Sequence, residues 1–369
     1  MDFVFSESQN IMINSIRSFL LKEAKNLARN MEKTPEGYSR EIWQKMAALG
    51  CMGIIFPEEY GGTVGDFLDL ILLLEEMGKA LVPGPFIPTI VSGAAILQYG
   101  SELQKQQLLP KLIDGELILS YAFFPPDAAI LGEVTKDQVV TKDEGYVLSG
   151  TRVFVPFGHT ADCLVYYTNI SNSGTLFLIN TTAPGVKCTP LESLAGDKPS
   201  EVILDGVEVS RNSILGETGK GREIRRKIEE LGALAHSGFI VGMLGQVLKM
   251  SVDHAKEREQ FDSKIGSFQA IQHQCADMAT DIEQAKYLTY YAAWKLAQGV
   301  PAQKEISMAK AWASDISRRV GLLGVKILGG TGVSEEHDMQ LYFRNAKASE
   351  QAFGDGDFHR EVVAQQFGL

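Results

Sequence analysis

The stretch 346-AKASEQAFGDGDFHREVVA-364 has the pattern of a helix end, a tight Gly/Asp turn and a second helix start, and it sets Asp355 and Asp357 just beyond Phe353. Two carboxylates two residues apart could hold a divalent cation or accept a proton. The cation is disfavoured, because Mg²⁺ and Ca²⁺ take several oxygen ligands and no neighbouring residue supplies the rest; no metal is expected. The same aspartates suit the turn itself, since Asp tolerates tight turns and accepts backbone N–H bonds at a helix start. Glu229 and Glu230 close the charged run 222-REIRRKIEE-230, which reads most simply as a solvated helix face with i,i+4 ion pairs. The six histidines show no metal-ligand spacing; His236 lies on a glycine-rich helical stretch and His359 at a helix start beside Arg360. Cys51, Cys163, Cys188 and Cys275 lie far apart with no CxxC pair, which argues against zinc and against a disulfide framework. Gly219-Lys220-Gly221 lacks the upstream glycine and the following Ser/Thr of a phosphate-binding P-loop.

These residues need a scaffold, and the chain alternates between two kinds. Ser6 and Gln9 stand in capping-box spacing before Met12, Ile16, Phe19 and Leu20, so the first segment is helical. Helical patterning returns at 40-REIWQKMAALG-50, where Gly50 stops it, at 66-DFLDLILLLEEMGKAL-81 and from about Ser101 to Ile113. The Pro/Gly-bearing 56-FPEEYGGT-63 and 82-VPGPFIP-88 read as ordered loops. From Leu117 the period falls to two, through 117-LILSYAFF-124, 146-YVLSGTRVFV-155, 163-CLVYYT-168, 175-TLFLIN-180 and 201-EVILDGVEVS-210. No helices interleave with these strands, so an antiparallel β-domain is expected rather than a doubly wound sheet. Long helical patterns follow Gly221, with Gly238, Gly242 and Gly245 permitting close helix packing. The division expected is an N-terminal helical domain over 1–116, a middle β-domain over 117–215 and a C-terminal helical bundle over 216–369.

The net charge of −11 makes non-specific nucleic-acid or anionic-membrane binding improbable on electrostatic grounds. The N-terminus has no basic stretch followed by an apolar one, and the apolar run 68-LDLILLLEEM-77 is far shorter than a bilayer span. A cytoplasmic location is therefore expected.

Four strings sharpen the reading: 52-MGIIFPEEYGG-62, 203-ILDGVEVSRNSILGETGKG-221, 254-HAKEREQFDSKIGSFQAIQHQCADMA-279 and 329-GGTGVSEEHDMQLYFRNAKA-348. Together they resemble the acyl-CoA dehydrogenases over essentially the whole chain. The resemblance implies an α+β protein of N-terminal helices, a middle antiparallel β-barrel and a C-terminal four-helix bundle. It also implies bound FAD, tetrameric assembly and an electron-transfer flavoprotein as acceptor. In that family a carboxylate takes the Cα proton of an acyl-CoA while hydride leaves Cβ for the flavin. Most members carry this base as a Glu seven residues before an arginine that here matches Arg360, which places Phe353 at its position. A second branch carries it on the helix before the Arg258 string, where this chain has Gly232. Phe124 and Ile130 replace the barrel strand's flavin-bonding threonine and its CoA-side serine. Pro156, ending 154-FVP-156, replaces a flavin-bonding threonine, and Ala233 replaces an arginine that commonly reaches CoA. Asp355 and Asp357 stand where small polar groups face the FAD phosphates.

The features that a subunit lends to its neighbour's flavin match better: Arg258 for the phosphates, with Phe261 and Gln269, and Gly329 and Gly330 at the adenine end. Lys326 stands in place of the usual Gln. This lopsided pattern resembles the non-catalytic subunits of bacterial heteromeric enzymes, some active on steroid side chains. The expected role is thus a subunit lacking the catalytic Glu, paired in a heterotetramer with a homologue that has it. One alternative is a self-sufficient homomer on a cyclic or branched acyl-CoA, with Asp355 or Glu230 as a displaced base; another is a flavin-free acyl-CoA binder or scaffold.

Overall fold

In the computed structural model, which describes residues 4–126, 137–170 and 173–369, the helix starts sit where the capping residues put them. Helix α1 (Glu7–Glu23) opens on Ser6, whose side chain accepts from Gln9 N while the Gln9 side chain accepts from Ser6 N. The same reciprocal box, built from Asp66 and Asp69, starts α4 (Phe67–Lys79), and Ser101 with Gln104 starts α6 (Glu102–Ile113). Between them lie α2 (Leu27–Met31), α3 (Arg40–Ala48) and α5 (Phe86–Tyr99). Helix α5 is not legible from periodicity: Phe86, Ile87, Ile90, Val91, Ala95 and Ile96 are buried around nearly its whole circumference, so it has no polar stripe to mark a 3.6-residue period.

The strands are β1 (Leu119–Ala122), β2 (Gln138–Lys142), β3 (Gly145–Pro156), β4 (Cys163–Ile170), β5 (Ser173–Asn180), β6 (Val186–Pro190), β7 (Pro199–Ser210) and β8 (Ile214–Leu215). They form two four-stranded sheets, ordered β1-β4-β5-β8 and β2-β3-β7-β6. The expectation of an antiparallel domain needs one correction, because β1 pairs with β4 in parallel, Leu119 opposite Cys163. Parallel neighbours require a long crossover, and here the chain passes through β2 and β3 of the other sheet between them. No ladder joins the two sheets among the described residues, so the barrel expected from the resemblance is seen as two sheets.

After β8 come α7 (Gly221–Glu257), a hairpin of β9 (Glu259–Gln260) and β10 (Ser263–Lys264), then α8 (Gln269–Ala297), α9 (Gln303–Leu328), α10 (Gly330–Val333), α11 (Met339–Gln351) and α12 (Gly356–Gln366). Helix α7 is long and apolar enough to cross a membrane, but 72% of that apolar window is buried, as in the core helix of a folded bundle. The chain divides into two compact units, one of Met1–Arg29, Asp66–Val82 and Gly232–Leu369, the other of Asn30–Gly65 and Pro83–Leu231. In the first, α7, α8, α9 and α11 share one core of Leu244, Val247, Met278, Ile282, Ile316, Val320, Met339 and Tyr342, among others. The burial of these apolar side chains is the main stabilising contribution to the bundle.

The second unit hides an ion pair. Arg152 on β3 is fully buried, donates to Asp137 at 2.9 Å and to the Tyr167 carbonyl, and lies 4.3 Å over the Tyr166 ring. Thr168 donates to the same carboxylate at 2.5 Å. A buried charge left alone costs far more than a buried pair. Arg152→Met is therefore expected to destabilise the protein by about 3–5 kcal/mol, and Arg152→Met with Asp137→Leu by much less, read from denaturant unfolding.

Candidate functional site

Helix α11 ends at Gln351, and the chain turns through Phe353 and Gly354 with φ of +57° and +97°. Glycine enters that left-handed region freely, whereas a bulky side chain there is strained and must be held by its surroundings. What surrounds Phe353 is helix α7. A Cβ built on Gly232 would lie 2.2 Å from the Phe353 ring, so the aromatic ring rests directly on the glycine backbone. One turn further along, His236 packs on the same ring with centroids 5.4 Å apart. Phe353 is 9% exposed. The two positions that the family resemblance assigns to alternative bases, 353 and 232, are thus in contact, and the side chain of one fills the space over the other. No local pattern announces this; the complementary pair of one large and one absent side chain is the only trace it leaves in the sequence.

Beneath the turn lies a group that sequence reasoning missed. Lys310 on α9 has no exposed surface, and its Nζ donates to Ser314 Oγ at 2.7 Å and to the carbonyls of Gly354 at 2.9 Å, Glu350 at 3.0 Å and Ser349 at 3.3 Å. Carbonyls 349 and 350 belong to the last turn of α11, the negative end of the helix, where a cation is favoured. His359, 4% exposed, places Nε2 3.0 Å from the Phe353 carbonyl and Nδ1 3.3 Å from Ser307 Oγ. Burial pulls the Lys310 ammonium down to about 7, against the attraction of Asp355 and Glu350. Burial and then the Lys310 charge pull His359 down to about 4 and His236 to about 3. Both imidazoles are therefore neutral at pH 7, and the proton of His359 sits on Nε2, where the Phe353 carbonyl accepts it.

The carboxylates are placed as follows. Asp355 is the N-cap of α12, accepting from Phe358 N at 2.9 Å, and Asp357 accepts from Arg360, which also donates to Asp315. In the other unit, Glu229 accepts from Arg225 at 2.8 Å, and the guanidinium lies 5.2–5.5 Å from the ring centroids of Tyr167, Phe124 and Phe123. Glu230 differs: its Oε1 is buried 3.4 Å from Arg226 Nε without a hydrogen bond, and burial raises its pKa. Phe154 sits in a β-bulge with φ +56° and is 65% exposed. The Pro156 carbonyl is taken by Ser120 Oγ at 2.5 Å. Ala233 is fully buried, and Ile130 lies outside the described residues.

The remaining candidates are each exposed. The two-residue turn of the β9–β10 hairpin is Phe261-Asp262, with φ +55° and +59°, the doubly left-handed geometry that fits the twist of a tight hairpin. It holds the Phe261 ring 88% exposed, edge-on to Phe268 at the start of α8, just before the exposed Gln269. Arg258, at the foot of the hairpin, is exposed and forms no ion pair with any described residue. Gly329 and Gly330 are exposed after α9, and a Cβ on either would meet nothing within 4 Å. An unpaired guanidinium, a bare aromatic ring and an open glycine backbone each suit a ligand that is both anionic and aromatic, so these residue types fit FAD. The opposite set does not: Phe124 has no hydroxyl, and Pro156 has neither hydroxyl nor N–H, with its carbonyl already bonded.

Residues 219–368 match the model of the acyl-CoA dehydrogenase C-terminal domain, and residues 6–116 that of the acyl-CoA dehydrogenase N-terminal domain. The chain is 31% identical to a probable acyl-CoA dehydrogenase, YngJ, of Bacillus subtilis, over 99% of each chain. It is also 31% identical to CarC, a subunit of a caffeyl-CoA reductase-Etf complex of Acetobacterium woodii, over 98% of each. Among solved structures it is similar to the ChsE4-ChsE5 complex from Mycobacterium tuberculosis, with a TM-score of 0.92 and 27% identity over 100% of this chain and 99% of that one. The FAD complex of PigA gives 0.91 and 26% over 100% of both. Fold and site define an FAD-dependent oxidoreductase acting on CH–CH bonds. The chain belongs to the acyl-CoA dehydrogenase family.

The contact between Phe353 and Gly232 is testable by itself. Gly232→Ala is expected to destabilise the protein by about 1–3 kcal/mol, the usual cost of overpacking. In the Phe353→Gly background, chosen because glycine keeps the left-handed turn, the same change is expected to cost almost nothing; equal costs in both backgrounds would refute the contact.

Proposed function

We propose that this chain is the subunit without a catalytic base in a heteromeric acyl-CoA dehydrogenase, and that it completes the flavin site of a homologous partner carrying the Glu. The observation that carries the reading is the Phe353 ring lying on Gly232: neither of the family's base positions holds a carboxylate, and the volume beside them is occupied. The likeness to ChsE4-ChsE5, itself a complex, is in keeping with this role.

In the proposed assembly FAD supplies hydride acceptance at the partner's site. The contribution of this chain is binding and orientation. Arg258 offers a fork of N–H donors to phosphate oxygens, Phe261 and Gln269 present an apolar wall and an amide, and Gly329 and Gly330 allow close backbone approach. The acyl-CoA belongs to fatty-acid or steroid side-chain breakdown in the cytoplasm, and electrons pass to an electron-transfer flavoprotein, in line with the Etf complex to which the relative CarC belongs. Tetramers of two such pairs account for one flavin per pair of chains.

A second reading rests on Glu230, whose buried oxygen makes no hydrogen bond, though it lies 3.4 Å from Arg226 Nε, and whose raised pKa has the character of a general base. In a self-sufficient homomer it would be preferred over Asp355, whose carboxylate is committed to capping α12.

Flavin content decides between them. The chain purified alone is expected to be colourless, and the chain co-purified with its partner yellow, with one FAD per pair; one FAD per chain in a homomer would refute the half-site reading. In the complex, Arg258→Ala is expected to weaken FAD retention by about 10- to 100-fold, the loss of a charge-assisted bond worth about 1.5–3 kcal/mol. Glu230→Gln is expected to leave turnover unchanged.

A further inference from the structure

We infer that Lys310 is a latch that holds the Phe353 ring over Gly232 and so bars an acyl thioester from this subunit's own half of the site. The inference rests on the half-site reading above and adds to it a mechanism of exclusion. A missing base by itself would leave an empty cleft, in which acyl-CoA could bind without reacting and be withheld from the partner. The Phe353 ring fills that space, from a left-handed backbone, φ +57°, that is uncommon for a bulky residue.

The force that holds it is local and traceable. Lys310 Nζ ties together both sides of the turn, the Ser349 and Glu350 carbonyls at the end of α11 and the Gly354 carbonyl after Phe353. Ser314, one helical turn along α9, fixes the latch from behind: its Oγ accepts from Lys310 and donates to the Glu350 carbonyl at 3.1 Å. From the other side, His359 donates to the Phe353 carbonyl and is itself anchored on Ser307 of α9. Lys310, Ser314 and Ser307 all stand on α9, and His359, on α12, is tied to it through Ser307; within the turn, Gly354 N donates to the Gln351 carbonyl at 3.2 Å. Removing the ammonium leaves the Ser349 and Gly354 carbonyls to find other donors, with Ser314 alone on that of Glu350, and opening of the turn would admit water to them. Lys310 touches no reacting atom in this scheme; it is a positioning residue for an excluding side chain.

The test uses the purified assembly, with butyryl-CoA as the probe and FAD counted in the same sample. Wild type is expected to bind one butyryl-CoA per FAD and one FAD per pair of chains. Phe353→Gly, which removes the ring but suits the turn, and Lys310→Met, which keeps the stem but removes the donor, are each expected to double the butyryl-CoA bound per pair. In Lys310→Met, amide hydrogen exchange over residues 349–359 is expected to rise about tenfold or more, with the rest of α9 little changed. Ser314→Ala, which leaves the charge in place, is expected to give a smaller rise and keeps the latch testable if Lys310→Met does not fold. A wild-type assembly that already binds two butyryl-CoA and two FAD per pair overturns the half-site reading. A wild type with one of each, and variants that still bind one, leaves that reading standing and overturns exclusion by Phe353. Doubling in Phe353→Gly with exchange unchanged in both Lys310→Met and Ser314→Ala overturns the role of Lys310.

Discussion

Helices α4 and α7 meet with almost nothing between their backbones, and the geometry of the first unit depends on that approach. A Cβ on Gly242 would lie 1.9 Å from the Glu75 carbonyl oxygen, and one on Gly78 would lie 2.1 Å from the Phe239 carbonyl oxygen. Contacts this close are possible only between glycines and a facing main chain, so α7 has no freedom to rotate or slide against α4. Ten residues earlier on the same helix, about 15 Å away at 1.5 Å per residue, stands Gly232. The face that α7 turns toward Phe353 is therefore set by glycines well removed from the site. The same crossing explains two acidic residues in the interior: Glu75 and Glu76 are 6% and 5% exposed on α4 and are paired with Lys79, Arg17 and Tyr290. These bonds tie α1 and α8 to α4, and with full pairing such buried charges orient helices rather than weaken the core.

The site is best understood as a redistribution of chemistry rather than a simple loss. At the β9–β10 hairpin, whose two turn residues both have positive φ, the Phe261 ring is exposed and Arg258 is exposed without an ion pair to any described residue. Around Phe353, Lys310 is turned onto carbonyls, His359 onto a carbonyl and a serine, and Asp355 onto a helix start, while His236 Nδ1, beside the ring, is buried without a hydrogen-bond partner.

Much of this organisation is legible in the amino-acid order. The helix starts at Ser6, Asp66 and Ser101 follow from side chains that bond to backbone within three residues, and such local chemistry is readable wherever partner and position are both short-range. The strands from β3 to β5 and β7 show themselves by alternation. Helix α5 does not, because burial on all sides erases periodicity, and neither do the short strands β2 and β6, which carry few apolar residues to alternate. The parallel pairing of β1 with β4 is equally hidden, since strand direction is a property of the connection and not of either strand.

The sequence by itself determined the family and the absence of a carboxylate at positions 353 and 232, because each of these is a matter of residue type at a recognisable position. Only the tertiary structure decided what the absence means. That Phe353 lies on Gly232, that Lys310 gathers carbonyls from residues 349, 350 and 354, and that Asp355 is spent on capping while Glu230 is left buried without a hydrogen bond are facts of packing. Residues 232 and 353 are separated by more than a hundred positions, and a lysine in an amphipathic helix looks the same whether it faces water or the interior. Their roles follow from the crossing of helices, which is fixed by the summed burial of many side chains and encoded by no single one of them.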